Sequence, residues 1–261
     1  MNLSLQGKTA VVCGSTQGIG LAAAIELSKL GATCVLMARN EDGLQEALLQ
    51  LNNSYNQQHQ YLVADFDQPE TVKNLISDFV ATQKVHVLIN NSGGPAGGPI
   101  TDATEEAFIN TFNRHLICNH ILTKAVMGRM KEAGYGRIIN IISTSVKIPL
   151  PNLGVSNTIR GAVASWSKTM ANELGQFNIT VNNVLPGATN TQRLQNIIQS
   201  NATKTNRSTN EVEEEMKKEI PARRFAEASE IANVVAFLAS PAAAYINGVN
   251  IPVDGGRTGA M

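Results

Sequence analysis

Thr9-Ala10-Val11-Val12-Cys13-Gly14-Ser15-Thr16-Gln17-Gly18-Ile19-Gly20 is the stretch on which the fold is read. Its first five residues are apolar or β-branched, the composition of a buried strand. Glycines then stand at 14, 18 and 20, and Ile19, Ala23, Leu27 and Leu30 follow on one helical face. Strand, glycine turn and helix in that order open a crossover unit. The helix N-terminus offers free N–H groups and a partial positive charge to a phosphate. Gly14 permits the tight turn, Gly18 lets the backbone approach the phosphates, and Gly20 lets helix and strand pack closely. With Ser15, Thr16, Gln17 and Ile19 between them, these residues form the candidate pyrophosphate loop. The spacing is GxxxGxG, not the commoner GxGxxG, so the strand–turn–helix context carries the reading.

Outward from this unit, Thr33 to Met37 reads as a second strand, after a helix stopped by Gly31. It ends Met37-Ala38-Arg39-Asn40. Dinucleotide sites for NAD place an acid here, accepting from the ribose 2′-hydroxyl. A guanidinium at Arg39 suits a 2′-phosphate instead, so the expected cofactor is NADP(H).

The rest of the chain repeats the alternation. Helices are expected at Glu41 to Leu51, Pro69 to about Thr82, and about Thr104 to Lys131, with another through Trp166 and a last one around Ile231 to Leu238. Strands are expected at Tyr61 to Val63, Val85 to Ile89, Arg137 to Ile142, Ile179 to Val184 and Val249 to Val253. The pattern predicts an α/β, doubly wound (Rossmann) parallel sheet of about seven strands, with helices on both faces, in a single domain over 1–261. The polar region 192–218 breaks the pattern, and is read as a lid over a substrate cleft or as a solvated helix pair.

Composition excludes several classes. Lys plus Arg and Asp plus Glu both number 21, which gives no electrostatic reason to expect nucleic acid or an anionic membrane as partner. Cys13, Cys34 and Cys118 lack CxxC spacing and read as reduced, buried small hydrophobes. No signal peptide or membrane span is expected, and the expected location is the cytoplasm. The histidines lack metal-ligand spacing, so no metal is expected, and there is no GxSxG elbow.

Several ordered motifs resemble the short-chain dehydrogenase/reductase family over essentially the whole chain, 3-oxoacyl-carrier-protein reductase-like members in particular. They are Gly14, Gly18 and Gly20; Asp65-Phe66, matching the position that caps the adenine ring; and Asn90-Asn91-Ser92-Gly93, resembling the family's NNAG motif. Pro186-Gly187 with Thr189 or Thr191 resembles the segment that holds the nicotinamide carboxamide, and Asn247 to Gly256 the C-terminal strand. The resemblance implies an NADPH-dependent oxidoreductase acting on a carbonyl or alcohol carbon. It also implies a homotetramer or homodimer, paired through the Thr104–Lys131 helix and the helix carrying Trp166.

The catalytic positions depart from the family. Ser143 stands in place after the fifth strand, but Ser156 stands where the family has Tyr, Arg160 where it has Lys, and His115 where it has a helical Asn. An aliphatic hydroxyl is a much weaker acid than a phenol, and Arg160 will not deprotonate. The resemblance therefore assigns Ser143 and Ser156 to the substrate oxygen and Arg160 to the ribose, with a proton arriving through water from His115 or Lys147. A helix histidine bonding a backbone carbonyl is the other reading of His115. The alternative functions are a degenerate nucleotide-binding sensor or partner protein, and a non-redox enzyme reusing the cleft.

Overall fold

The computed structural model describes residues 1–259. Strands β1 (Thr9–Cys13), β2 (Thr33–Ala38), β3 (Gln60–Val63), β4 (Val87–Asn90), β5 (Gly136–Ile141) and β6 (Ile179–Pro186) are joined through helices. These helices are α1 (Gly18–Lys29), α2 (Glu41–Leu48), α3 (Pro69–Thr82), α4 (Glu105–Phe112), α5 (Cys118–Ala133) and α6 (Gly154–Leu174). The chain continues through β7 (Thr189–Asn190), α7 (Gln192–Thr205), α8 (Thr209–Lys218), β8 (Ala226–Glu227) and α9 (Ala228–Ala239) to β9 (Asn250–Val253). Seven strands make one parallel sheet in the order β3-β2-β1-β4-β5-β6-β9.

Side chains alternate across each strand, so one strand feeds two cores. Ala10 and Val12 join Cys34 and Leu36 against Ala23 and Leu27 of α1 and Ile231 and Val235 of α9. Val11 and Cys13 join Val35 and Met37 against Ile76 of α3 and Leu122, Val126 and Met130 of α5. Both faces being covered explains the continuous apolar strands.

The structure adjusts several boundaries. The helix expected over Thr104 to Lys131 is interrupted by a π turn at Asn113–Ile117, which holds His115. The helix expected to reach Leu51 stops at Leu48, β4 starts at Val87, and β6 runs on to Pro186. The short parallel pair β7–β8 has no signal in the sequence. Region 192–218 is a helix pair with its own apolar seam of Leu194, Ile198, Ala202, Val212, Ile220 and Phe225. Most of its charged residues are exposed. Among the described residues no helix is long and apolar enough to cross a membrane, and no cluster of side chains could hold a metal ion.

One polar feature runs through the apolar sheet. Asn90, Asn140, Asn183 and Asn250 lie in register on β4, β5, β6 and β9. Each amide donates to the next oxygen: Asn90 Nδ2 to Asn140 Oδ1 at 2.8 Å, Asn140 to Asn183 at 2.9 Å, and Asn183 to Asn250 at 2.7 Å. Asn140 also reaches Ser167 Oγ of α6 at 3.3 Å. Buried amides are tolerated only when paired, so the row fixes strand register as well as contributing stability.

Removing its centre by Asn140→Leu strands the amide of Asn90 and the oxygen of Asn183. A loss of about 2–4 kcal/mol is expected, measured by urea denaturation. A second expectation concerns acid. His86 accepts from the Thr9 N–H at 3.0 Å. Burial, then the charges of Lys8 and Lys84, pushes it down from 6.5 to about 4. The unfolded chain therefore binds the extra proton first, and stability falls as pH drops from about 6.5 towards 4. Thermal midpoints across that range should fall less in His86→Asn.

Candidate functional site

From β1 the chain winds outward through β2 to β3, whereas from β4 it winds the other way through β5 and β6. The crevice left at the C-terminal ends of β1 and β4 is where ligands bind in such sheets. Two cavities meet there and share Ile19, Asn91, Ser92, Thr191 and Arg193.

The first cavity lies over the glycine loop. Gly14 has φ +58°, and a Cβ there would lie 2.7 Å from the Asn91 carbonyl oxygen. At Gly20 a Cβ would overlap the Gly14 carbonyl oxygen, so helix and strand meet backbone to backbone. Asn91 Nδ2 donates to the carbonyls of Cys13 and Gly14, each at 3.2 Å, and ties the loop to the end of β4. Gly14, Thr16, Gln17, Gly18 and Ile19 line the cavity, as do Arg39, Asp65, Phe66, Ser92 and Gly93. Arg39 is exposed, and among the described residues it has no acidic partner. Ser15 is a correction: it is fully buried, and its Oγ accepts from the Met37 N–H at 3.0 Å, so it braces the loop to β2 instead of facing a ligand. A glycine cradle with free N–H groups, a cation at its far end and an aromatic ring on its wall fits a dinucleotide.

The second cavity, of about 260 Å³, continues beyond β4. Ser143 follows β5, and its Oγ accepts from the Ser145 N–H at 3.1 Å, leaving its hydroxyl hydrogen free. Ser156 and Arg160, one turn apart on α6, both line the cavity. Arg160 donates Nη1 to the Ile141 carbonyl at 2.8 Å. Burial, then the charge of Arg193, pushes its guanidinium down to about 10, which still leaves it charged at neutral pH. Pro186, Gly187, Thr189 and Thr191 form another part of its wall. Thr189 Oγ1 donates to the Gly187 carbonyl at 3.1 Å, whereas Thr191 caps α7 and reaches both cavities. Leu194, Ile197 and Met216 bring the helix pair over the opening.

His115 lies inside the fold rather than on an open helix face. The π turn buries it, and Nδ1 shares a 2.7 Å hydrogen bond with Ser92 Oγ. Burial, then Arg160, Arg114 and Arg193, holds its pKa well below 6.5. It is a neutral imidazole at working pH, not a proton donor that titrates in the useful range. Lys147 is exposed and does not line the cavity.

Arg193 and Arg114 carry no motif, and the sequence reading passes over both. Arg114 pairs with Asp67 at 2.5 Å. Arg193 Nη1 and Nη2 donate to the carbonyls of Gly94 and Pro95 at 2.9 and 3.2 Å, latching α7 to the loop after β4. The one local signal at Arg193 is a cation in the first turn of a helix, where the helix dipole disfavours it.

The family model described as enoyl-(acyl carrier protein) reductase matches residues 14–258. The 3-oxoacyl-[acyl-carrier-protein] reductase FabG of Pseudomonas aeruginosa is 32% identical over 97% of this chain and 98% of its own length. The chain belongs to the short-chain dehydrogenase/reductase family. The NADPH-dependent reductase BacG of Bacillus subtilis is 30% identical over 95% of this chain and 97% of its own. The structure of L-sorbose reductase from Gluconobacter frateurii, complexed with NADPH and L-sorbose, superposes with a TM-score of 0.93 at 29% identity and covers 100% of both chains.

The environment of His115 gives a direct check within this short-chain dehydrogenase/reductase fold. Its imidazole NMR signals should stay in the neutral form as the pH falls through the ordinary histidine range.

Proposed function

We propose that the chain is an NADPH-dependent oxidoreductase acting on a carbonyl or alcohol carbon. The observation that carries this reading is continuity: the glycine cradle opens directly into the cavity of Ser143, Ser156 and Arg160. Arg39, free at the end of β2, favours a 2′-phosphate over a bare ribose hydroxyl. Gly14 to Gly20 would take the pyrophosphate, Asp65 and Phe66 the adenine, and Pro186 to Thr189 with Thr191 the carboxamide. Bound nicotinamide supplies or accepts a hydride.

The chain's own residues then do the remaining work. Ser143 and Ser156 donate hydrogen bonds to the substrate oxygen as its charge changes. Arg160, fixed by the Ile141 carbonyl, holds the ribose hydroxyls and a permanent positive charge near that oxygen. Neither serine is acidic enough to replace a phenol, and His115 is held neutral. The proton is therefore exchanged with water inside the cavity. Without a positioned acid, turnover is expected to run about 10²–10⁴-fold below that of a tyrosine-bearing relative. The resemblance further favours a homotetramer or homodimer through α4, α5 and α6, and a monomer mass at micromolar concentration contradicts it.

Calorimetry with NADPH and NADH tests the cofactor reading. NADPH should bind more tightly, and Arg39→Ala should cost about tenfold or more for NADPH and little for NADH. Binding of neither nucleotide overturns the proposal. The double variant Ser156→Tyr, Arg160→Lys should gain carbonyl reduction, seen as loss of NADPH absorbance. Tight nucleotide binding with no hydride transfer in either form favours a nucleotide-binding protein without turnover.

A further inference from the structure

Arg160 and Arg193 face one cavity with no acid to balance them. Among the described residues no Asp or Glu lines that cavity, and neither arginine makes an ion pair. The other arginines nearby are neutralised: Arg114 by Asp67, and Arg257, at the rim, by Glu219. Arg160 is 9% exposed, and one donor is committed to the Ile141 carbonyl. Arg193 spends two contacts on the neutral carbonyls of Gly94 and Pro95.

This arrangement is costly. Two unpaired cations of like sign repel, the buried Arg160 also loses hydration, and Arg193, exposed but bordering the cavity, sits in the first turn of α7 against the helix dipole. His115, packed behind them, is neutral and offers no relief. In a chain of zero net charge the concentration is local, not a consequence of composition. A guanidinium fork is matched by a carboxylate in shape as well as charge. The rest of the wall is apolar, with Leu150, Leu153, Leu194, Ile197 and Met216.

Resting on the oxidoreductase reading, we propose that the substrate is a carboxylate, a small oxo or hydroxy acid. Its apolar body lies against the lid and its carboxylate is taken by Arg193. Arg160 adds the second positive charge on the side of the reacting oxygen. Arg193 is then a specificity residue that selects anionic over neutral carbonyl compounds.

The test is calorimetry of hexanoate and of hexanamide, two unreactive probes of similar size, on NADP⁺-saturated protein at constant ionic strength. Saturation keeps the phosphates of the dinucleotide from competing for Arg193, which borders both cavities. Hexanoate should bind at least about tenfold more tightly than hexanamide. Arg193→Met should bring the two within about twofold, and Arg193→Lys should keep part of the preference. Equal binding of the probes to the unmodified protein overturns the proposal whatever the variants do. So does a full preference retained in Arg193→Met. Failure to saturate with NADP⁺ instead overturns the cofactor reading, so the two failures are distinguishable.

Discussion

A side chain at position 20 would occupy the space of the Gly14 carbonyl oxygen, and a side chain at position 14 would press on Asn91. Because neither exists, the first turn of α1 sits directly on the end of β1, and β4 is stitched to both through the Asn91 amide. The position of the crevice follows from this contact. It aims the N–H groups of α1 at the gap between β1 and β4, where the winding of the sheet reverses. Ser15, turned inward to the Met37 N–H, holds β2 to the same loop and so sets where Arg39 emerges.

On the far side of the crevice, register is held by a different device. The row Asn90–Asn140–Asn183–Asn250 passes a hydrogen bond from strand to strand inside a sheet that is otherwise apolar. A one-residue slip would strand several buried amides at once, a penalty larger than the stability of many single contacts. The end of β5 and the foot of α6 are thereby fixed, and with them Ser143, Ser156 and Arg160. The apolar layers on either face supply the bulk of the driving force, while the asparagines select the arrangement.

The electrostatics of the site follow from burial more than from residue type. A histidine on a helix ordinarily titrates near neutrality, yet the π turn moves His115 into a pocket ringed by arginines and holds it neutral. The same confinement leaves Arg160 charged at neutral pH but without a counterion. A cavity built this way stabilises negative charge on whatever it holds, and lacks a side chain suited to handing over a proton.

The glycine spacing, the apolar strands and the Ser143, Ser156 and Arg160 positions were legible in the sequence. They depend on local rules: backbone freedom at glycine, the two periodicities of buried chain, and a fixed interval along one strand and helix. The fold class and most of the lining of the crevice between β1 and β4 follow from these. The inward turn of Ser15, the π turn at His115, the asparagine row and the pairing of Arg160 with Arg193 did not follow. Each joins residues far apart in the chain, and its energy comes from burial and from the neighbours that folding supplies. Arg193 shows the division most clearly. In the sequence it is a surface-type residue in a polar stretch, and only the packing of α7 at the crevice brings its guanidinium to the cavity wall without a carboxylate partner.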